Sequence, residues 1–349
     1  MIILITIGWI YFIFTAIRLF VVLLNFISQP YLKKAEASSF NKKVSVLIPA
    51  RNEEKNIGSL LEKLINQSYP IFEIIVYNDQ SSDKTEEIAT SFANKNPNIK
   101  IIQSVGASIE HITSTQIINN NSIITRIVDE RLSNDMWEFL LTIVLSELKN
   151  TRIYLTQQAQ NTWEQKDYRT INETTISILG LGKIGGYVAE KFAQIGFNVK
   201  GWSNSKKQIS NVKSYNGENE FDSFLYDSDF LINLLPLTDK TKGILNKKTF
   251  RKLPKNSFLI NVGRGEHLVD VDLIDFLDES KLSGAYLDVF INEPLPKEHP
   301  FWKHSKIQIS PHIASLTNVE TAMEQITENY RRFLENEELL NIASLKKGY

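Results

Sequence analysis

Three glycines, Gly180, Gly182 and Gly185, stand at GxGxxG spacing directly after an apolar run, Ile176 to Leu179. Each glycine has a separate use. The first permits a tight turn, the second lets backbone approach a pyrophosphate, and the third lets a helix pack closely on a strand. A helix opening at Lys183 and Ile184 then offers phosphates its free N–H groups and the positive end of its dipole. The spacing alone describes many glycine-rich turns. With a strand before, a helix after and a second strand beyond, it indicates a bound dinucleotide. The second strand ends at Trp202, and Ser203, Asn204, Ser205, Lys206 and Lys207 follow without an acid. An acid there would bond ribose hydroxyls; hydroxyls and cations suit a 2′-phosphate, so NADP is expected in preference to NAD. Leu235, Pro236 and Asp288, past later strands, complete the expected cofactor contacts.

The elements that must hold these residues can be read by period. Val188, Phe192 and Ile195 share one face of the helix after the fingerprint, Gly196 stops it, and Asn198 to Trp202 reads as a strand. Four further strands lie in FLINLLPLT (230–238), SFLINVGRG (257–265), GAYLDVFINEPLP (284–296) and KIQISPHIAS (306–315). The last three lead to Arg264, Glu293 and His312. Charged side chains just past the carboxyl ends of parallel strands stand where open α/β sheets bind ligands. An amphipathic helix at about 317–337 ends the pattern. Upstream, strand 44–49, helix 54–66, strand 72–77, helix 83–94 and strand 99–103 alternate in the same way, with Asp83 and Glu86 spaced as a helix cap. Trp163 and Tyr168, in a polar stretch between them and the fingerprint, are expected to pack on the nucleotide domain.

Residues 2–28 are nearly continuously apolar, with Arg18 the only charge. That length suits a spanning helix, and Arg18 can snorkel to the interface. Lys33, Lys34, Lys42 and Lys43 follow, so the positive-inside rule puts the remainder in the cytoplasm. The 349 residues carry a net charge of −1, which argues against nucleic acid, and no cysteine, which excludes disulfides and thiolate chemistry. The five histidines show no helical ligand spacing, so no metal site is expected.

Two resemblances divide the chain. IPARNEE (Ile48 to Glu54) and YNDQSSDKT (Tyr77 to Thr85) are similar to the start of the family 2 inverting glycosyltransferases, which have a GT-A fold. The resemblance implies that Glu53 and Asp79 contact the nucleotide of a sugar donor. The metal-binding acidic pair, catalytic carboxylate and acceptor region of that family do not follow; Asp129, Glu130 and Asp135 lack the spacing. From about residue 98 onward, SVGASIEHI (Ser104 to Ile112), RIVDERLSNDMWEFLL (Arg126 to Leu141), NVGRG, NEPLP and PHIAS resemble the D-2-hydroxyacid dehydrogenases, in the glyoxylate/hydroxypyruvate reductase A branch. This implies a small 2-oxo or 2-hydroxy acid as substrate, with Arg264, Glu293 and His312 catalytic. Arginine would fork onto the substrate carboxylate, helped by the N–H groups of Val105 and Gly106. Histidine would protonate the carbonyl oxygen as hydride arrives at carbon, and glutamate would orient and charge the ring. Trp137 departs from the family, which often has a small residue there, and His111 reads as structural.

The expected fold is therefore α/β: a Rossmann-type parallel-sheet nucleotide domain with a smaller α/β domain, preceded by a transmembrane helix. The expected divisions are 1–30 for the membrane helix and 36–130 for the small domain (36–100 transferase-like, 101–130 dehydrogenase-like). They continue as 131–312 for the NAD(P)-binding domain and 313–349 for a C-terminal helix returning to the small domain. A membrane-anchored 2-hydroxyacid dehydrogenase, with a homodimer as an open option, is the favoured function. A family 2 glycosyltransferase fragment and a non-catalytic nucleotide binder are the alternatives.

Overall fold

A computed structural model describes residues 45–50, 52–66, 73–78, 81, 83–95, 101–103 and 123–343. The expected membrane helix and its lysines, Asp79, Val105, Gly106 and His111 lie outside these residues. Among the described residues no helix is long and apolar enough to cross a membrane.

Among the described residues, seven parallel strands form the main sheet. They are β5 (Thr175–Leu179), β6 (Asn198–Ser203), β7 (Val212–Asn216), β8 (Phe230–Asn233), β9 (Ser257–Asn261), β10 (Leu282–Leu287) and β11 (Ile307–Ile309). Their order is β11-β10-β9-β8-β5-β6-β7. The chain runs outward from β5 on one side and returns to β8 on the other, leaving a crevice at the carboxyl ends of β5 and β8. β5, β8 and β9 are buried along nearly their whole length, which explains their unbroken apolar runs. Helix α5 (Lys183–Gln194) buries Val188, Ala189 and Phe192 against one face of the sheet. A fully buried Phe side chain contributes about 3 kcal/mol, well above an exposed ion pair, so this face holds the helix in place. Ile195 departs from the expected stripe. The helix ends at Gln194, Ile195 is its C-cap and is 40% exposed, and Gly196 turns the chain with φ +101°.

Helix α3 (Glu130–Leu148) lies across α5 and feeds Met136, Leu140, Ile143 and Val144 into the same core. Its N-cap Asp129 accepts from the Arg131 N–H at 2.8 Å. Trp137 is accommodated at the edge of this core with Lys191 6.0 Å from its ring, but its indole N–H is buried with no partner among the described residues. Helix α4 (Thr151–Ala159) follows. The stretch after it does not pack as expected: Trp163 is 97% exposed, and Tyr168, also exposed, carries the Lys149 ammonium 3.8 Å from its ring. Few apolar residues surround these two rings in sequence, so the segment has no buried face to dock with.

Upstream, β1 (Ser45–Ala50) and β2 (Glu73–Asn78) pair in parallel, with α1 (Ile57–Ile65) and α2 (Thr85–Lys95) beside them. Ile48, Ala50, Ile57 and Leu61 form their core. A separate parallel pair joins β3 (Ile101–Gln103) to β4 (Ile123–Thr125). After α6 (Phe221–Leu225), α7 (Lys247–Lys252) and α8 (Asp270–Asp278), the last described helix, α9 (Val319–Leu334), places Ala322 and Ile326 on Ile127. The segment after it pairs with β4 through an antiparallel Thr125–Ile342 bridge and an Ala343 N–H to Ile124 C=O bond of 2.8 Å.

Candidate active site

The glycine cradle has the geometry its spacing requires. Gly180 has φ +102°, and a Cβ there would sit 2.7 Å from the Leu234 carbonyl oxygen. A Cβ at Gly185 would lie 1.7 Å from the Gly180 carbonyl, so only glycine lets α5 approach β5 this closely. Gly182, the N-cap of α5, has nothing within 4 Å of where its Cβ would be, which leaves open space in front of the helix. The first backbone bond of the helix is Gly186 N–H to Gly182 C=O, so the N–H groups of Lys183 and Ile184 have no helical acceptor. A pyrophosphate fits this cradle.

At the end of β6, Ser203 is buried and its hydroxyl donates to the Ser205 carbonyl at 2.7 Å, tightening the turn. Ser205, Lys206 and Lys207 are exposed beyond it. Trp202 packs inward and donates to the Gly217 carbonyl at 2.9 Å.

Arg264, Glu293 and His312 follow β9, β10 and β11, three adjacent strands. His312 Nδ1 and Glu293 Oε2 are 2.7 Å apart, and Glu293 Oε1 accepts from the Phe290 N–H at 2.8 Å. Partial burial works to raise the Glu293 carboxyl. The His312 hydrogen bond, the Phe290 N–H and the charges of His312 and Arg264 outweigh it, holding the group below the usual glutamate range. A depressed folded value means the pair's stabilisation is present above that range and fades as pH falls through the folded value. Gly265 brings the two loops together, since a Cβ there would meet the Phe290 backbone at 2.0 Å.

Asp288 is 1% exposed, and its carboxylate is occupied by the loop that carries His312. It accepts from the N–H groups of Ile313 and Ala314, each at 2.9 Å, and from the Ser310 hydroxyl. Its own carbonyl accepts from His312 N–H at 2.9 Å. These bonds hold His312 in the left-handed region, at φ +54°. Helix α3 supports the same loop from below: Ser315 donates to the Leu132 carbonyl at 2.8 Å, and Leu316 N–H donates to Asp135 at 3.0 Å.

Beneath Arg264 lies a buried polar trio that sequence reasoning missed. Asn233 and Asn261 are paired across β8 and β9, and His267 is fully buried beside them. Leaving such groups unpaired would cost about 1–3 kcal/mol each. Here Asn233 Nδ2 lies 2.9 Å from both Asn261 Oδ1 and His267 Nδ1. The signal was present in the sequence: FLIN occurs at 230–233 and again at 258–261, each time ending an apolar strand with an amide.

In the front segment the two loops are stapled. Glu53 N–H donates to Thr85 Oγ1 at 2.6 Å and Glu54 N–H to Asp83 Oδ2 at 3.0 Å. Asp83 also accepts from Thr85 N–H at 2.9 Å, the capping role its position suggested. The Glu53 carboxylate accepts from Asn56 at 2.7 Å. Among the described residues no three His, Cys, Asp or Glu side chains gather as metal ligands.

Comparison with known proteins finds both resemblances. Residues 141–314 match the NAD-binding domain of D-isomer specific 2-hydroxyacid dehydrogenases, and residues 45–107 match glycosyl transferase family 2. A glyoxylate/hydroxypyruvate reductase A of Photorhabdus laumondii is 42% identical over 64% of this chain and 72% of its own. The crystal structure of a D-isomer specific 2-hydroxyacid dehydrogenase from Xanthobacter autotrophicus, in complex with NADPH and MES, superposes with a TM-score of 0.67. It is 32% identical, over 70% of this chain and all of that one. The NADPH-dependent glyoxylate/hydroxypyruvate reductase of Sinorhizobium meliloti, in complex with NADP and sulfate, gives 0.75 at 28% identity, over 88% and 100% of the two chains.

Proposed function

The chain belongs to the D-isomer specific 2-hydroxyacid dehydrogenase family, and on that premise we propose that it reduces glyoxylate or hydroxypyruvate with NADPH. The observation that carries this reading is the 2.7 Å His312–Glu293 pair, one strand away from Arg264 on the sheet edge that also carries the glycine cradle. Reduced nicotinamide, when bound, supplies the hydride. Gly180, Gly182, Gly185 and the N–H groups of Lys183 and Ile184 would hold its pyrophosphate, and Ser203, Ser205 and Lys206 the ribose phosphate. Leu235, Pro236 and Asp288 would border the nicotinamide end. Arg264, with the N–H groups of Val105 and Gly106, clamps the substrate carboxylate and polarises the neighbouring carbonyl. Glu293 holds His312 Nδ1, which leaves Nε2 to give its proton to the carbonyl oxygen. The product is the 2-hydroxy acid.

Purified full-length chain is expected to consume NADPH with either 2-oxo acid and to bind NADPH more tightly than NADH. Cofactor binding without turnover would sink the catalytic reading. Equal affinities, or a preference for NADH, would sink the cofactor choice. Release of UDP from a UDP-sugar would revive the transferase reading. That reading is otherwise weakened by Asp129 and Asp135, which serve α3 and the 315–316 loop, and we treat Glu53 and Asp79 as vestigial contacts.

Residues 2–28 and the lysines after them further support anchoring in a membrane with the enzymatic part cytoplasmic. The full chain should then remain with membranes after alkaline carbonate washing; release into the wash would exclude the anchor.

A further inference from the structure

The buried trio carries an inference beyond the reaction itself. Its hydrogen bonds orient one another without ambiguity. Asn261 Oδ1 accepts from Gly263 N–H at 3.2 Å, and its Nδ2 donates to the Arg264 carbonyl at 3.0 Å. Asn233 Oδ1 accepts from Leu235 N–H at 3.2 Å, so its Nδ2 must donate, to Asn261 Oδ1 and to His267 Nδ1. Arg264 N–H also points at His267 Nδ1, at 3.1 Å. A backbone N–H can only donate, so Nδ1 is an acceptor and the ring proton sits on Nε2. Nε2 lies 3.3 Å from the Pro236 carbonyl, which accepts. The space around the trio is full: a Cβ on Gly263 would sit 2.7 Å from Asn233 Nδ2 and 3.1 Å from His267 Nδ1.

We propose that His267 is a positioning residue that couples the substrate-binding arginine to the cofactor loop. One ring nitrogen fixes the backbone of Arg264 and the other fixes Pro236. The coupling rests on the reading of Arg264 as the carboxylate clamp and of Leu235–Pro236 as a cofactor contact. Through it, ordering of the 235–236 loop by cofactor is passed to the turn that aims the guanidinium. Both loops need only share this ring, because Asn233 and Asn261 already tie the ends of β8 and β9 together.

Two variants separate the two arms. His267→Asn keeps an acceptor where Nδ1 stands and loses the Pro236 contact. His267→Gln reaches Pro236 and leaves Arg264 N–H without its acceptor. Either variant severs the path, so both are expected to raise the 2-oxo acid KM by roughly five- to tenfold. Only the Asn variant also weakens NADPH binding by a similar factor, since it alone loses the Pro236 contact. An unchanged KM in either variant overturns the coupling.

Amide hydrogen exchange on the full chain adds a readout independent of turnover. NADPH should slow exchange at 183–186 and at 263–268 in the wild type. In His267→Ala it should slow exchange at 183–186 only. Retained protection at 263–268 in that variant overturns the coupling. Absence of protection at 183–186 in the wild type overturns the cofactor reading itself, and is seen separately.

Discussion

His312→Ala is expected to lower the turnover of 2-oxo acid reduction by about 10²–10⁴-fold, with NADPH affinity within about twofold of wild type. The size follows from removing a general acid while leaving the cradle at Gly180 to Gly185 untouched. The ring is placed by bonds that do not depend on the side chain's own chemistry, namely Asp288 to the N–H groups of residues 312–314 and helix α3 beneath residues 315–316. The alanine variant should therefore fold, and its dissociation constant for NADPH can be measured by fluorescence titration beside its turnover. A variant that turns over at the wild-type rate removes His312 as proton donor. Glu293→Gln provides a graded companion. Loss of the carboxylate weakens the bond that orients His312 Nδ1, so turnover in the same assay should fall by a smaller factor than in His312→Ala.

The second large effect is expected at Arg264. Arg264→Lys keeps the charge but loses the planar fork, and should lower kcat/KM for the 2-oxo acid by about a hundredfold. The Arg264 N–H to His267 bond and the Arg264 carbonyl to Asn261 bond are made by backbone and survive the exchange. NADPH affinity should accordingly hold. A lysine variant within threefold of wild type in kcat/KM would mean that the substrate carboxylate is held elsewhere.

The features legible in the sequence were those with a local cause. Gly180 and Gly185 announce a turn and a close approach because only glycine fits them, and the structure has both contacts. β5, β8 and β9 are buried on both faces, so their apolar runs mark them. The order Arg264, Glu293, His312 was readable because each residue follows its own strand. The 2.7 Å approach of Glu293 to His312 was not, since it depends on how loops from β10 and β11 fold back. Asp288 shows the same limit. Its place past a strand suggested a cofactor contact, but not that its carboxylate also accepts from backbone N–H groups 25 and 26 residues further on. Ile195 and Trp163 failed for opposite reasons: one sits past the end of its helix, the other lies in a stretch with no partner face. His267 was invisible because a buried polar side chain acquires meaning only from the groups the fold brings around it.

The bridge between β4 and the segment after α9 also sets a timetable. Val128 and Gln325, which bond across this junction, are 197 residues apart in sequence. At ordinary synthesis rates the second partner leaves the ribosome on the order of 10–40 s after the first. The main sheet, β5 to β11, is complete before α9 begins and can assemble while the ribosome is still translating. Among the described residues, Ile127 is covered by Ala322 and Ile326, which emerge only after that sheet is complete. For that interval the β4 edge lacks its partners Ile342 and Ala343, and an unpaired strand edge is a surface that chaperones protect.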